Sequence, residues 1–156
     1  MVDFNWYPIF LLVHVASVVV WVGGMFFAYV CLRPVAAQLL APAERLPLWR
    51  LVLRRFFAWV WVAVVLIPTS GGATIALMGI PTLPLRWRVM MTLGTAMIAV
   101  FVYVVFVPYR ALQRAVDAQD WPAGAAALAR IRRLVGINLL LGIATIADAT
   151  AGRLFE

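Results

Sequence analysis

His14 is the one histidine in this chain, and it stands inside a long apolar run. A neutral imidazole offers one nitrogen lone pair, so a histidine in that setting is a candidate ligand for a transition metal or for haem iron. At helical spacing His14, Ser17, Trp21, Gly24, Met25 and Ala28 fall on one side, a stripe of small, polar and soft residues, while Val, Leu and Phe occupy the others. Such a stripe belongs inside a bundle rather than against lipid. The chain has no phosphate-binding glycine loop, no HExxH, no CxxC and no second histidine for a Ser-His-Asp arrangement. Cys31 stands alone, so no internal disulfide forms, and the expectation is a small buried hydrophobe.

The elements that must position His14 follow from composition. Hydrophobic residues make up 66% of the 156 residues and charged residues 12%, with a mean hydropathy of +1.02. Soluble domains are about 45–50% apolar and about 25% charged. A soluble globular enzyme and a disordered chain are both excluded on those numbers. The length holds about four spans of roughly 20 residues. The expected fold is an all-α integral membrane protein, an antiparallel bundle of four transmembrane helices in a single domain, with spans over about 7–32, 56–78, 89–107 and 134–149. The N-terminal MVDFNWYP carries an acid and no basic residue, unlike a signal peptide, so the first helix is expected to be retained.

Arg33-Pro34 is expected to stop the first helix. The loop after it ends in ERLPLWRLVLRRFF, expected as a short amphipathic helix at the membrane interface. Pro68 and Gly71-Gly72 predict a kink in the second span, and Pro108 a break after the third. A turn is expected at Asp120-Trp121-Pro122, and AGAAALARIRRL is expected to run unbroken into the fourth span.

All thirteen basic residues are arginines, for a formal charge of +7. Ten lie in the segments 33–55 and 108–133, against Arg86, Arg88 and Arg153 on the other side. The positive-inside rule then puts both termini in the periplasm of a bacterial inner membrane. The arginines flank apolar runs, so their expected partners are anionic lipid headgroups on the cytoplasmic face, not nucleic acid.

Alternating helix direction puts several groups at the depth of His14: Ser70, Gly71, Gly72, Thr74 and Met78 from span two, Met90, Met91, Thr92, Thr95 and Met97 from span three, and Thr145 and Asp148 from span four. Imidazole with thioether suits copper, which makes His14, Met90, Met91, Met78 and Met25 the metal-ligand candidates. Met90 and Met91 are adjacent, so one site takes only one of them. Imidazole with a second axial group suits haem, which would draw on His14, Met91 and Trp21; a bis-histidine haem would need a second copy of the chain, a homodimer. Asp148, Ser17, Thr145 and Asn138 are the candidates to orient such ligands. The competing reading is structural: His14 makes an interhelical hydrogen bond, and the methionines are core filler. Residue types alone leave these alternatives open.

The run LLVHVASVVVWVGGMFFAYVCLRP, with its histidine, a W-x-G-G-M-F-F seven residues on and an R-P exit, resembles the first helix of small CopD-type (copper-resistance D) membrane proteins. RRFFAWVWVAVVLIPTSGG and ARIRRLVGINLLLGI resemble later parts of the same family. The resemblance implies a multi-helix bacterial inner-membrane protein of copper uptake or homeostasis. A more distant likeness, to HemJ-type proteins, implies a haem-binding membrane oxidoreductase, the form an enzyme reading would take. In either case the implied ligand is His14. The chain departs from the HemJ pattern, with no histidine in span three and Gly136-Ile137-Asn138 in place of an Asn-Glu-Pro run. A third reading is a non-catalytic assembly or scaffold protein in which His14 and Asp148 only hold helices together.

Overall fold

The computed structural model describes residues 5–79 and 82–151. Asp3 and Arg153, which entered the charge expectations, lie outside the described residues. The described chain is all helix and turn: α1 (Tyr7–Phe26), a π-helical segment (Phe27–Leu32), α2 (Arg33–Leu39), α3 (Pro42–Met78), α4 (Leu85–Phe106), α5 (Pro108–Asp117) and α6 (Trp121–Ala151). Four helical runs among these residues are long and apolar enough to cross a membrane: Tyr7–Leu39, Pro42–Met78, Leu85–Asp117 and Trp121–Thr150. The fold is therefore that of a multi-pass membrane protein.

Arg33-Pro34 does not end the first helix. Pro34 lacks an N–H and its ring would clash with a carbonyl one turn earlier. The chain absorbs this by widening just before it, and the Arg33 N–H reaches back five residues to the Ala28 carbonyl. The π segment buries none of its residues. Cys31 is exposed rather than buried, because the extra residue in the wide turn rotates it off the stripe that starts at His14.

The expected loop over 33–55 shrinks to Leu40 and Ala41, both extended. Ala41 precedes Pro42, which disfavours helix at that position, and its N–H donates to Glu44 Oε2 at 3.3 Å. The stretch ERLPLWRLVLRRFF is not a separate interfacial helix but the first part of α3, which has 37 residues, about 55 Å. A hydrocarbon core is about 30 Å thick, so α3 continues well beyond it. Its apolar side meets protein instead of headgroups: Leu46, Trp49 and Leu53 are buried in one cluster with Tyr109, Leu112 and Ile131. Helical winding persists through Pro68 and Gly71-Gly72 to Met78, and Gly79 closes it at φ 58°, a left-handed conformation that a residue without Cβ adopts freely.

Val107 leaves helical geometry directly before Pro108, as that proline requires. The next turn falls at Ala118–Asp120, and Asp120 Oδ1 accepts from the Ala123 N–H at 3.0 Å, capping α6. α6 then runs without interruption through the arginine-rich stretch.

α1 packs against α3, and α4 against α6. Gly24 lies against Phe56 and Gly71 against His14, while Gly142 meets Val22 and Gly136 meets Tyr29. Those pairings make α1 antiparallel to both α3 and α6. Phe101 of α4 joins the hairpins, its ring 6.0 Å from Trp21, 5.5 Å from Phe57 and 5.1 Å from Trp61, all edge-on.

Candidate functional site

His14 sits half-buried on α1 with its ring against α3. Its Nδ1 is 3.0 Å from the Ile67 carbonyl oxygen and 3.2 Å from Ser70 Oγ. A carbonyl oxygen only accepts, so Nδ1 carries the proton. The Ser70 hydroxyl donates to the Leu66 carbonyl, one turn back on its own helix, which leaves its lone pairs facing Nδ1. The partners thus make Nδ1 the donor, and in the neutral ring the lone pair lies on Nε2. This is the arrangement by which ligating histidines are held: one nitrogen donates to a fixed oxygen, and the other is presented to the metal.

Gly71 makes the approach workable. A Cβ at that position would lie 3.3 Å from His14 Cε1 and 3.4 Å from Nδ1, tighter than ordinary contact. The Ile67 carbonyl was not among the groups the sequence singled out. Its signal was the Ser70-Gly71 pair: a hydroxyl that turns back onto the helix, and beside it a residue small enough to admit an imidazole.

The other candidates fall in separate places. Ser17 is buried, but its hydroxyl donates to the Val13 carbonyl at 2.8 Å, within its own helix. Thr145 does the same toward Leu141, also at 2.8 Å. Trp21 is buried edge-on to Phe101. Met25 lies deep in the bundle, where the Asn138 amide nitrogen approaches its sulfur at 3.8 Å. Met78 and Met91 are exposed, and Met90 is half-buried. Met78 lines an open depression of about 290 Å³ with Asn5, Trp6, Tyr7 and Leu77 at the N-terminal end of α1. Asp148 is half-buried, and its Oδ2 is enclosed without a hydrogen-bond donor among the described residues. The register of α6 on α1, set by Gly142 beside Val22, puts Asp148 between Ser17 and His14 in depth.

Two pairs are therefore brought together, His14 with Ser70 and Met25 with Asn138. Among the described residues no three of His, Cys, Asp and Glu cluster to hold a metal ion. What the His14 end offers chemically is one oriented imidazole nitrogen, with Met78, Met90 and Met91 toward the same end of α3 and α4.

The ten arginines counted above gather at the opposite end of the bundle, where α3, α5 and α6 continue past the apolar spans. Arg50 pairs with Asp117, and the Tyr109 hydroxyl donates to the Arg50 carbonyl at 3.1 Å.

No curated protein and no solved structure matches this chain. A family model described as Copper resistance protein D matches residues 50–152. The match starts inside α3 and runs to the end of α6. It takes in Ile67, Ser70, Gly71, Asn138 and Asp148, together with two of the three stretches that carried the resemblance. His14, Trp21 and Met25 lie ahead of it. With about two thirds of its length matched, the chain belongs to the copper resistance protein D family.

Proposed function

We propose that this protein handles copper within the bacterial inner membrane and that His14 Nε2 is the nitrogen ligand for the ion. The observation that carries the reading is the hydrogen bond from Nδ1 to the Ile67 carbonyl, which commits the imidazole to the tautomer a metal needs. Membership of a copper resistance family supplies the cargo. Copper accepts imidazole and thioether donors. Met78, Met90 and Met91 are the thioethers on α3 and α4 nearest that end of the bundle. A single nitrogen does not hold copper by itself, so the site is one for transfer or capture with a second ligand, not a closed structural centre.

In this reading the His14 end faces the periplasm, and the arginine-bearing end faces anionic headgroups on the cytoplasmic side. A reporter inserted at the Leu40–Ala41 turn should then give a cytoplasmic signal.

The deciding experiment is metal analysis with an absorption spectrum on the purified protein and on His14→Ala. Copper in the wild type, reduced at least about tenfold in the variant without a Soret band in either, supports the reading. A Soret band lost in His14→Ala would replace copper with haem. Equal copper in both proteins would leave His14 a purely structural residue.

A further inference from the structure

Among the described residues one buried polar side chain lies away from the His14 end. Asn138, on α6, is 3% exposed, and its Oδ1 is enclosed with no hydrogen-bond donor among the described residues. One N–H of its Nδ2 donates to the Met25 sulfur at 3.8 Å. Turning the amide over would set its oxygen against the sulfur, acceptor against acceptor, so the nitrogen belongs where it is. Buried amide oxygens are rarely left without a donor.

Asn138 also lines a small, partly open cavity of about 10 Å³, room for the centre of one water. Its wall includes Trp21 and Met25 from α1, Phe57 from α3, and Phe101 and Val104 from α4. All four membrane-crossing runs meet there. A space of about 10–15 Å³ holds a water where it also offers at least two polar partners, and here those are the Asn138 amide oxygen and the Met25 sulfur.

We infer that this cavity is a binding site for a single ordered water, which donates to Asn138 Oδ1 and contacts the Met25 thioether. The water completes the hydrogen bonding of an amide that the helices alone leave half satisfied. It makes the junction of the four spans a polar point. Asn138 is the one buried polar residue at that depth among the described residues, the other two being Ser17 and Ser70 nearer the His14 end. The eleven residues from His14 to Met25 put it roughly 16 Å further along α1. The inference stands on Asn138 and the cavity alone, whatever His14 binds.

X-ray hydroxyl-radical footprinting of the intact protein in detergent, read by mass spectrometry, tests it. Radicals form from water in place, so a buried methionine is oxidised quickly only beside a bound water. Met25 and Met97 are 2% and 4% exposed, which makes Met97 an internal control. The expected result is sulfoxide formation at Met25 at least tenfold faster than at Met97, with that excess lost in Asn138→Leu. Equal rates at Met25 and Met97 in the wild type would overturn the site. A fast Met25 in a folded Asn138→Leu would overturn Asn138 as its anchor. Should Asn138→Leu not fold, the wild-type comparison decides alone.

Discussion

The two ends of this bundle satisfy their polar groups by opposite means. At the arginine-bearing end side chains reach across helices. Tyr109 on α5 donates to the Arg50 backbone on α3, and Arg50 pairs with Asp117, around the fully buried Leu46 and Leu112. At the His14 end the hydroxyls turn back on themselves. Ser17, Thr69, Thr95 and Thr145 each donate to a carbonyl one turn earlier on their own helix. His14 crosses between helices there, from α1 to α3. In an apolar surrounding a hydroxyl that bonds its own helix is satisfied locally. It neither binds a neighbour nor competes for an ion. The His14 end thus presents one oriented imidazole among hydroxyls that are already satisfied, and the other end is joined by side-chain bridges between helices.

The sharpest contrast is in packing. Leu46→Ala at the arginine-bearing end should cost about 2–5 kcal/mol, because a fully buried leucine leaves a cavity among helices already joined by polar bridges. Thermal or denaturant unfolding in detergent measures it, and a loss below about 1 kcal/mol would mean that this end is not closed.

At the His14 end the large effect should fall on copper rather than on folding. Gly71→Val brings methyl groups into the space the imidazole edge occupies. Losing the oriented Nδ1 hydrogen bond should weaken copper binding about 10–100-fold, as read by competition with a chromophoric copper chelator. Unchanged affinity would detach the α3 contact from the ligand role of His14.

Ser70→Ala removes one of the two oxygens at Nδ1 and keeps the Ile67 carbonyl. Copper affinity should fall by less than about tenfold, below the effect of Gly71→Val. The reverse order would make the hydroxyl, not the carbonyl, the group that orients the ring.

The smallest effect belongs to Asp117→Asn. The ion pair with Arg50 is in the open, with the Asp117 side chain 63% exposed. Its loss should cost no more than about 1 kcal/mol and should vanish in high salt. A larger loss would show that this carboxylate also anchors α5.

Helix-forming runs and their number were legible in the sequence, since about 20 apolar residues in a row admit few structures in lipid. Their ends were less so. Arg33-Pro34 carries the signature of a stop, yet a single widened turn lets the helix continue. ERLPLWRLVLRRFF has the amphipathic pattern of an interfacial helix, and the pattern is real, but the face is taken by α5 and α6. Periodicity tells which side of a helix is apolar and is silent on whether protein or lipid covers it.

The site divides along the same line. Residue types alone determined that His14 is the chain's one imidazole, that thioethers and an acid share its end of the bundle, and that arginines crowd the other. These are properties of composition and of helix direction, which alternates in any bundle with short connections. Only the tertiary structure decided which nitrogen of His14 holds the proton, because that depends on a backbone carbonyl 53 residues away. Only it set Asn138 beside Met25, 113 residues apart, on a cavity that no one helix encloses. Tautomer and enclosure are set by distances between helices, and one helix's side-chain pattern carries no record of its neighbour's carbonyls.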